Sequence, residues 1–362
     1  MLPYLVVDAI LILLFLLEEY GAVACDKFRC IAKFKGLLEK KELYGYASVG
    51  IIGLFMGLRG SFTEDYSSYC DIFLDTIPNS FWEVLTGNAY QEKGFLLLNK
   101  VVGCFTSNTN VFLFLEAFLF VTLIMLVGMK LTDHVMMFAL LFVNAGIYFH
   151  SFNMVRQALA AAIAFVAIEA LIEKKFIWFI LLTVVAVSMH TTSVAVLVLW
   201  PIMVQKVNFK NIVRTVLLAA IVYLSMDKII ALVKHFRYSD YSYGLEGGTI
   251  NAFIFQLAIC VFTWFICRKG LINVQERKYQ ILLNCSLLYF MFSVLMLSVF
   301  QMSRITYFFS APMLVLDCEA VYRVQGKYRI LVQGGLIVLL VLYMYVWLSG
   351  TGYEPYWTFL QQ

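Results

Sequence analysis

Six ionisable side chains stand out in an otherwise apolar chain: Arg59, Asp65, Glu92, Arg156, His190 and Arg304. Arg156, in 153-NMVRQALAAAIAF-165, and Arg304, in 302-MSRITYFF-309, each fall in the first turn of a predicted helix. There the free backbone N–H groups and the helix dipole favour an anion, so a cation is locally unfavourable unless an anion joins it. A guanidinium can grip a phosphate or pyrophosphate through two parallel hydrogen bonds, and that is the chemistry the two arginines suggest. The plainer alternative is snorkelling to lipid phosphates. Asp65 follows Arg59 closely and is placed to face a cavity. His190, in 188-SMHTTSV-194, offers a neutral donor or a proton acceptor, or is a satisfied core residue. Glu92 starts a short helix, where the dipole alone favours an acid, and Arg59 ends a helix, where its charge suits the dipole.

The stretch 57-GLRGSFTEDYSSYCDIF-73 carries much of this polarity. At about 100° per residue, Phe62, Tyr66, Tyr69 and Phe73 form one stripe, with Glu64, Ser68, Asp71 and Asp75 opposite and Asp65 on the flank. This predicts an amphipathic helix on the outer leaflet, its rings at headgroup depth. In 235-HFRYSDYSYGLEGG-248, three tyrosines could stack on sugars or form an interface belt.

The elements that must hold these residues follow from composition. The chain is 62% hydrophobic and 14% charged, with mean hydropathy +0.85. A soluble domain of 362 residues could not hide so much apolar surface. Runs such as 111–129 and 331–349 meet the rule of about 20 apolar residues per crossing. The expectation is an all-α polytopic membrane protein, one transmembrane domain over 1–362. Its crossings lie near 2–22, 43–58, 111–129, 134–150, 153–172, 176–189, 192–205, 212–234, 250–267, 279–300, 305–320 and 331–349, about 12 in all. The pair 176–205 is either one long tilted helix or two short ones turning at 190–192. Segment 92–107 is too polar to cross and reads as a re-entrant or interfacial helix. The larger share of the 27 Lys and Arg then falls inside, with the N-terminus outside. Lys27, Arg29 and Lys33 follow the first apolar run instead of preceding it, which makes that run a retained span, not a leader. The outer loops are 59–91 and 235–249, and all six polar residues reach the outer face. Cysteine and histidine spacing suggests neither a disulfide framework nor a metal site, and no cofactor is expected.

The residues that carry a resemblance are R-x5-DY-x2-Y at Arg59, Asp65, Tyr66 and Tyr69, and E-x-G-F at Glu92, Gly94 and Phe95. They continue with N-x-x-R-Q-x-L-A from Asn153 through Arg156 and Gln157, H-x-T-S at His190, Thr192 and Ser193, and R-x-x-Y-F at Arg304, Tyr307 and Phe308. In this order the chain resembles the EpsG family, bacterial membrane proteins of exopolysaccharide and capsule assembly regarded as Wzy-like polymerases. The resemblance implies a GT-C-type bundle in the cytoplasmic membrane, active at its outer face, and a glycosyltransferase using undecaprenyl-pyrophosphate-linked repeat units as donor and acceptor. It implies Asp65 as base, with Glu92 and His190 behind it, and substrate contacts from Arg59, Tyr66, Asn153, Arg156, Gln157, Arg304 and Tyr307. Partners would be membrane lipids and a flippase or chain-length regulator of the same pathway, not nucleic acid. The rival readings are a flippase for lipid-linked oligosaccharides, an O-antigen ligase-like transferase and a polysaccharide acyltransferase. The last would want a His–acid pair.

Overall fold

The computed structural model describes residues 1–25, 40–225, 228, 250–297, 299, 302–351 and 353–361. The expected outer loop at 235–249 lies outside these residues, as does most of the basic segment 25–42. The described chain is helical, apart from turns and one isolated bridge between Arg59 and Thr358. It divides into two compact units, Met1–Val194 with Val324–Gln362, and Ala195–Arg323.

The first unit holds α1 (Leu2–Cys25), α2 (Lys40–Gly57), α3 (Tyr66–Thr76), α4 (Phe81–Thr86), α5 (Lys93–Gly103), α6 (Thr109–Leu131), α7 (Val135–Asn144), α8 (Ile147–His150), α9 (Val155–Ile172) and α10 (Phe176–Met189). The second begins within α11 (Val194–Val198) and continues through α12 (Trp200–Met203), α13 (Phe209–Leu224), α14 (Ile250–Arg268), α15 (Arg277–Met296) and α16 (Ser303–Arg323). The last helix, α17 (Lys327–Ser349), returns to the first unit.

Four of these helices, α6, α9, α15 and α17, are long and apolar enough to cross a membrane. The expected total of about 12 is not reached among the described residues. Several apolar runs are interrupted. The run 134–150 is broken at Gly146, whose φ of 91° is a left-handed conformation suited to glycine. The run 192–205 is a short 3-10 turn followed by two fragments, the second with Pro201 at its start. Between α10 and that turn, His190 is extended (φ −155°, ψ 118°), so 176–205 is the broken alternative. α5 has 11 residues, roughly 16 Å of helix, far short of a bilayer core of about 30 Å.

The centre of the first unit is α9. Ala158, Ala160, Ala161, Ala162 and Ala164 are all buried, and their small side chains let α10 and α6 pack closely on either side. α3 corrects an expectation. Its stripe is present, with Tyr66, Tyr69 and Phe73 buried and Glu64, Ser68, Asp71 and Asp75 exposed. The stripe does not lie in lipid. It packs onto Phe95 of α5, Phe112 and Leu113 of α6 and Val155 of α9, with Phe73 and Phe112 stacked at 4.5 Å.

In the second unit α15 and α16 pair along their length, with α14 against both. Their buried polar groups find partners inside the protein, as a lipid environment requires. Asn284 donates to the carbonyls of Met203 and Gln205, and the Thr263 hydroxyl donates to Asp317. Tyr279 donates to Glu319 at 3.0 Å, which Lys278 and Arg323 flank.

Candidate active site

The aromatic cluster of α3, α5, α6 and α9 is a floor, and the polar residues stand at its rim. Each neighbours a residue of that floor in sequence: Asp65 precedes Tyr66, Arg156 follows Val155, His190 follows Met189, and Glu92 lies one turn before Phe95. Packing of the apolar neighbours therefore brings together side chains scattered over more than a hundred residues of sequence.

Glu92 is the N-cap residue of α5, yet its carboxylate makes no hydrogen bond to its own helix. It reaches outward. Oε2 accepts from Arg156 Nη1 at 2.6 Å, and Oε1 accepts from the Thr191 backbone N–H at 3.0 Å and the Thr191 hydroxyl at 3.3 Å. His190 Nδ1 lies 3.1 Å from the same Oε1, close enough for an ion pair but out of line for an aligned hydrogen bond, and Nε2 has no partner. Burial pushes the Glu92 carboxyl up. The His190, Thr191 and Arg156 contacts outweigh it and hold the group down at about 2. The anion that Arg156 demands at a helix N-terminus is thus supplied by the protein itself. Arg156 also acts on the Tyr69 phenol, countering part of the effect of its burial, and lies 6.0 Å from the Phe95 ring centroid, while its Nε is unbonded. Burial raises the Tyr69 phenol above its usual range.

Gly94 explains its place in E-x-G-F. A Cβ there would stand 2.2 Å from Ser188 Oγ and 2.7 Å from the Ser188 carbonyl, so only glycine lets the start of α5 approach the end of α10. Asp65 is exposed at the N-cap of α3. Its backbone N–H donates to Asn153 Oδ1 at 3.4 Å, and its charge is felt at Tyr69. Tyr66 donates to Asn110, and Gln157 is buried beside Arg156 on α9.

Arg59 is 1% exposed. It faces inward. Nη1 donates to the Met56 carbonyl at 2.9 Å, closing the end of α2, and the guanidinium lies 5.5 Å from the Phe152 ring. Its charge acts on Glu116 of α6, a carboxylate missed in the sequence reading. Glu116 is 2% exposed and neither oxygen is hydrogen-bonded. Its signal was present: one acid inside the apolar run 111–129. Tyr69 and Thr191 were quoted in motifs or turns without a role, and both touch the cluster.

Arg304 and Tyr307 belong to the second unit, in the first two turns of α16, Arg304 half-buried and Tyr307 buried. The first unit alone unites Glu92, Arg156, His190, Thr191 and Tyr69, with Asp65 and Asn153 adjacent. Among the described residues, no three His, Cys, Asp or Glu side chains are grouped to hold a metal ion.

The arrangement has definite chemical capacity. An ionised carboxylate faces Nδ1 of a buried imidazole, which orients the ring and leaves Nε2 open as a proton acceptor. Beside it stands a guanidinium with an unbonded N–H. In comparisons with known proteins, a family model described as the EpsG family matches residues 42–359. No curated protein and no solved structure matches the chain.

Proposed function

The chain belongs to the EpsG family, membrane proteins linked to exopolysaccharide biosynthesis, and on that premise we propose that it is a polysaccharide polymerase. It would join undecaprenyl-pyrophosphate-linked oligosaccharide repeat units at the outer face of the bacterial cytoplasmic membrane. The observation that carries this reading is the Glu92–Arg156–His190 cluster, with Arg156 Nη1 at 2.6 Å from Glu92 and His190 Nε2 without a partner.

In the reaction a hydroxyl oxygen of the acceptor glycan bonds to the anomeric carbon of the donor. The bond from that carbon to the pyrophosphate oxygen breaks, and the lipid pyrophosphate leaves with the electron pair. Arg156 meets the developing negative charge through the N–H groups not given to Glu92. The hydroxyl proton passes to His190 Nε2 or to Asp65. Glu92, held down at about 2, is too weak a base at neutral pH, and its part is to orient His190 and Arg156. Asn153 steadies the loop that carries Asp65.

The test is incubation of the purified protein with lipid-linked repeat units and length analysis of the products. A ladder supports the polymerase, a single addition would mean a ligase, and unchanged substrate would favour a flippase. Arg156→Ala should abolish chain extension while membrane insertion persists. His190→Gln and Asp65→Asn separate the two candidate bases, since only loss of the true base stops transfer while donor binding survives.

A further inference from the structure

The first unit buries a polar pair that takes no part in the proposed transfer. Asp8 of α1 is 2% exposed, and Asn144, the last residue of α7, is 1% exposed. Asn144 Nδ2 donates to Asp8 Oδ1 at 2.9 Å and to the Leu140 carbonyl at 3.1 Å. Asp8 Oδ2 and Asn144 Oδ1 are buried as well, and neither has a partner. The flanking residues Val7 and Leu11 of α1 and Leu140, Leu141 and Val143 of α7 are apolar and buried.

Two observations fix the chemistry. First, the orientation of the amide is not free. Turning it over would set Asn144 Oδ1 against Asp8 Oδ1 and the Leu140 carbonyl, three acceptors with no donor among them. Second, Asp8 has no counter-ion: among the described residues, the Asn144 amide is the polar group that acts on its carboxyl. An ionised carboxylate is strongly unfavourable in such surroundings, and it would leave two buried acceptors unsatisfied. A carboxylic acid removes both faults. Its Oδ1 keeps the Asn144 N–H, and its O–H donates from Oδ2 to Asn144 Oδ1, closing a ring of two hydrogen bonds. One proton satisfies both atoms.

We propose that Asp8 and Asn144 form a proton-binding site between α1 and α7, with the proton shared across the acid–amide ring. The inference is independent of the polymerase reading. Its reach extends along α1. One turn before Asp8, the Tyr4 hydroxyl donates to the Tyr353 carbonyl at 2.5 Å, and the Tyr4 ring meets Phe149 of α8 edge-on at 5.4 Å. The helix that carries the proton therefore also holds the chain's tail, and occupancy of the site governs how firmly α1 and the tail are seated.

Three measurements on the full-length protein in detergent test it. The infrared difference between wild type and Asp8→Asn at neutral pH should contain the carbonyl stretch of a protonated carboxyl, shifted in heavy water. Carboxylate bands in its place would mean an ionised Asp8 and overturn the proposal. Second, an amide in place of the acid rebuilds the ring, with one N–H donated each way. Asp8→Asn should therefore melt like the wild type, whereas Asp8→Ala should melt lower and gain protease cleavage within residues 353–361. An Asp8→Asn protein that melts as low as Asp8→Ala, or does not fold, overturns it, because the site would then need the charge and not the proton. So does an Asp8→Ala protein as stable and as resistant to cleavage as the wild type. Third, melting in sodium chloride and in choline chloride at equal ionic strength should agree. Stabilisation by sodium that Asp8→Asn abolishes would assign the site to a metal ion instead, and the proposal would fall.

Discussion

Arg156 is where elementary electrostatics first demanded something unseen, since a cation in the opening turn of a helix needs a nearby anion. The demand was legible in the sequence; the identity of the anion was not, because Glu92 lies 64 residues away and only tertiary packing joins them. Folding lowers the Glu92 pKa from 4.5 to about 2, so between those values the unfolded chain binds more protons than the native one. Stability from the ionised carboxylate is fully present above about pH 4.5 and is lost as pH falls toward 2. Glu92→Gln removes this term. Its melting temperature should change little between about pH 5 and pH 3, where the wild type's falls, and near pH 7 it should be less stable by on the order of 3 kcal/mol at most. Equal pH profiles in thermal unfolding would refute the linkage. The Arg59 guanidinium is buried and closes the end of α2 on the Met56 carbonyl, so Arg59→Leu strands a buried acceptor and should cost about 1–3 kcal/mol. Glu116→Leu, which removes a buried carboxyl that has no hydrogen bond, should be neutral or stabilising in thermal unfolding. A Glu116→Leu protein that melts well below the wild type would mean that the carboxyl has a structural partner.

Helices place these side chains, and here the sequence was a partial guide. The stripe of Tyr66, Tyr69 and Phe73 was readable from spacing alone. Its destination was not, because aromatic rings suit headgroup depth and a protein floor equally well, and only the positions of Phe95 and Phe112 decide between them. The apolar runs, likewise, told which segments avoid water but not where each helix stops, as Gly146 and Pro201 show. His190 was read as a possible turn, and its extended backbone is what frees the ring to meet Glu92. The contact of α5 with α10 is the element on which the cluster depends, and Gly94 controls it. A methyl group there would meet Ser188 Oγ at 2.2 Å, a hydroxyl already committed to the Val185 carbonyl. Gly94→Ala should therefore cost about 1–3 kcal/mol through overpacking. It should also push Glu92 away from Thr191 and His190, so transfer should fall further than stability alone accounts for. Wild-type turnover in a folded Gly94→Ala protein would show that the close approach is not needed.

The first unit is assembled from the two ends of the chain, and its closure fixes the loop that precedes Asp65. After α17 the tail crosses back over α2: the Gly60 N–H donates to the Trp357 carbonyl at 2.8 Å, and the Phe359 N–H to the Leu58 carbonyl at 3.2 Å. Tyr356 donates to the Phe55 carbonyl at 2.6 Å, Tyr4 of α1 donates to the Tyr353 carbonyl, and Phe62 packs edge-on or tilted against Tyr353, Tyr356 and Trp357. A Cβ at Gly60 would stand 2.3 Å from the Trp357 ring, so the strap leaves no slack at this crossing. None of the tail residues belongs to the reacting cluster, yet they bracket Arg59 and hold residues 58–62 against α2. Deleting residues 353–361 should leave Glu92, Arg156 and His190 together while freeing the loop between Leu58 and Tyr66. The expected result is a lower melting temperature, new protease cleavage within 58–66 and chain extension reduced at least about 10-fold, with lipid-donor binding retained. Leu360→Ser serves as the control, because that side chain is 73% exposed on the same tail and its change should stay within about 0.5 kcal/mol. A truncated protein that melts like the wild type, resists cleavage in that loop and makes polymer of normal length would show that the loop holds its place unaided.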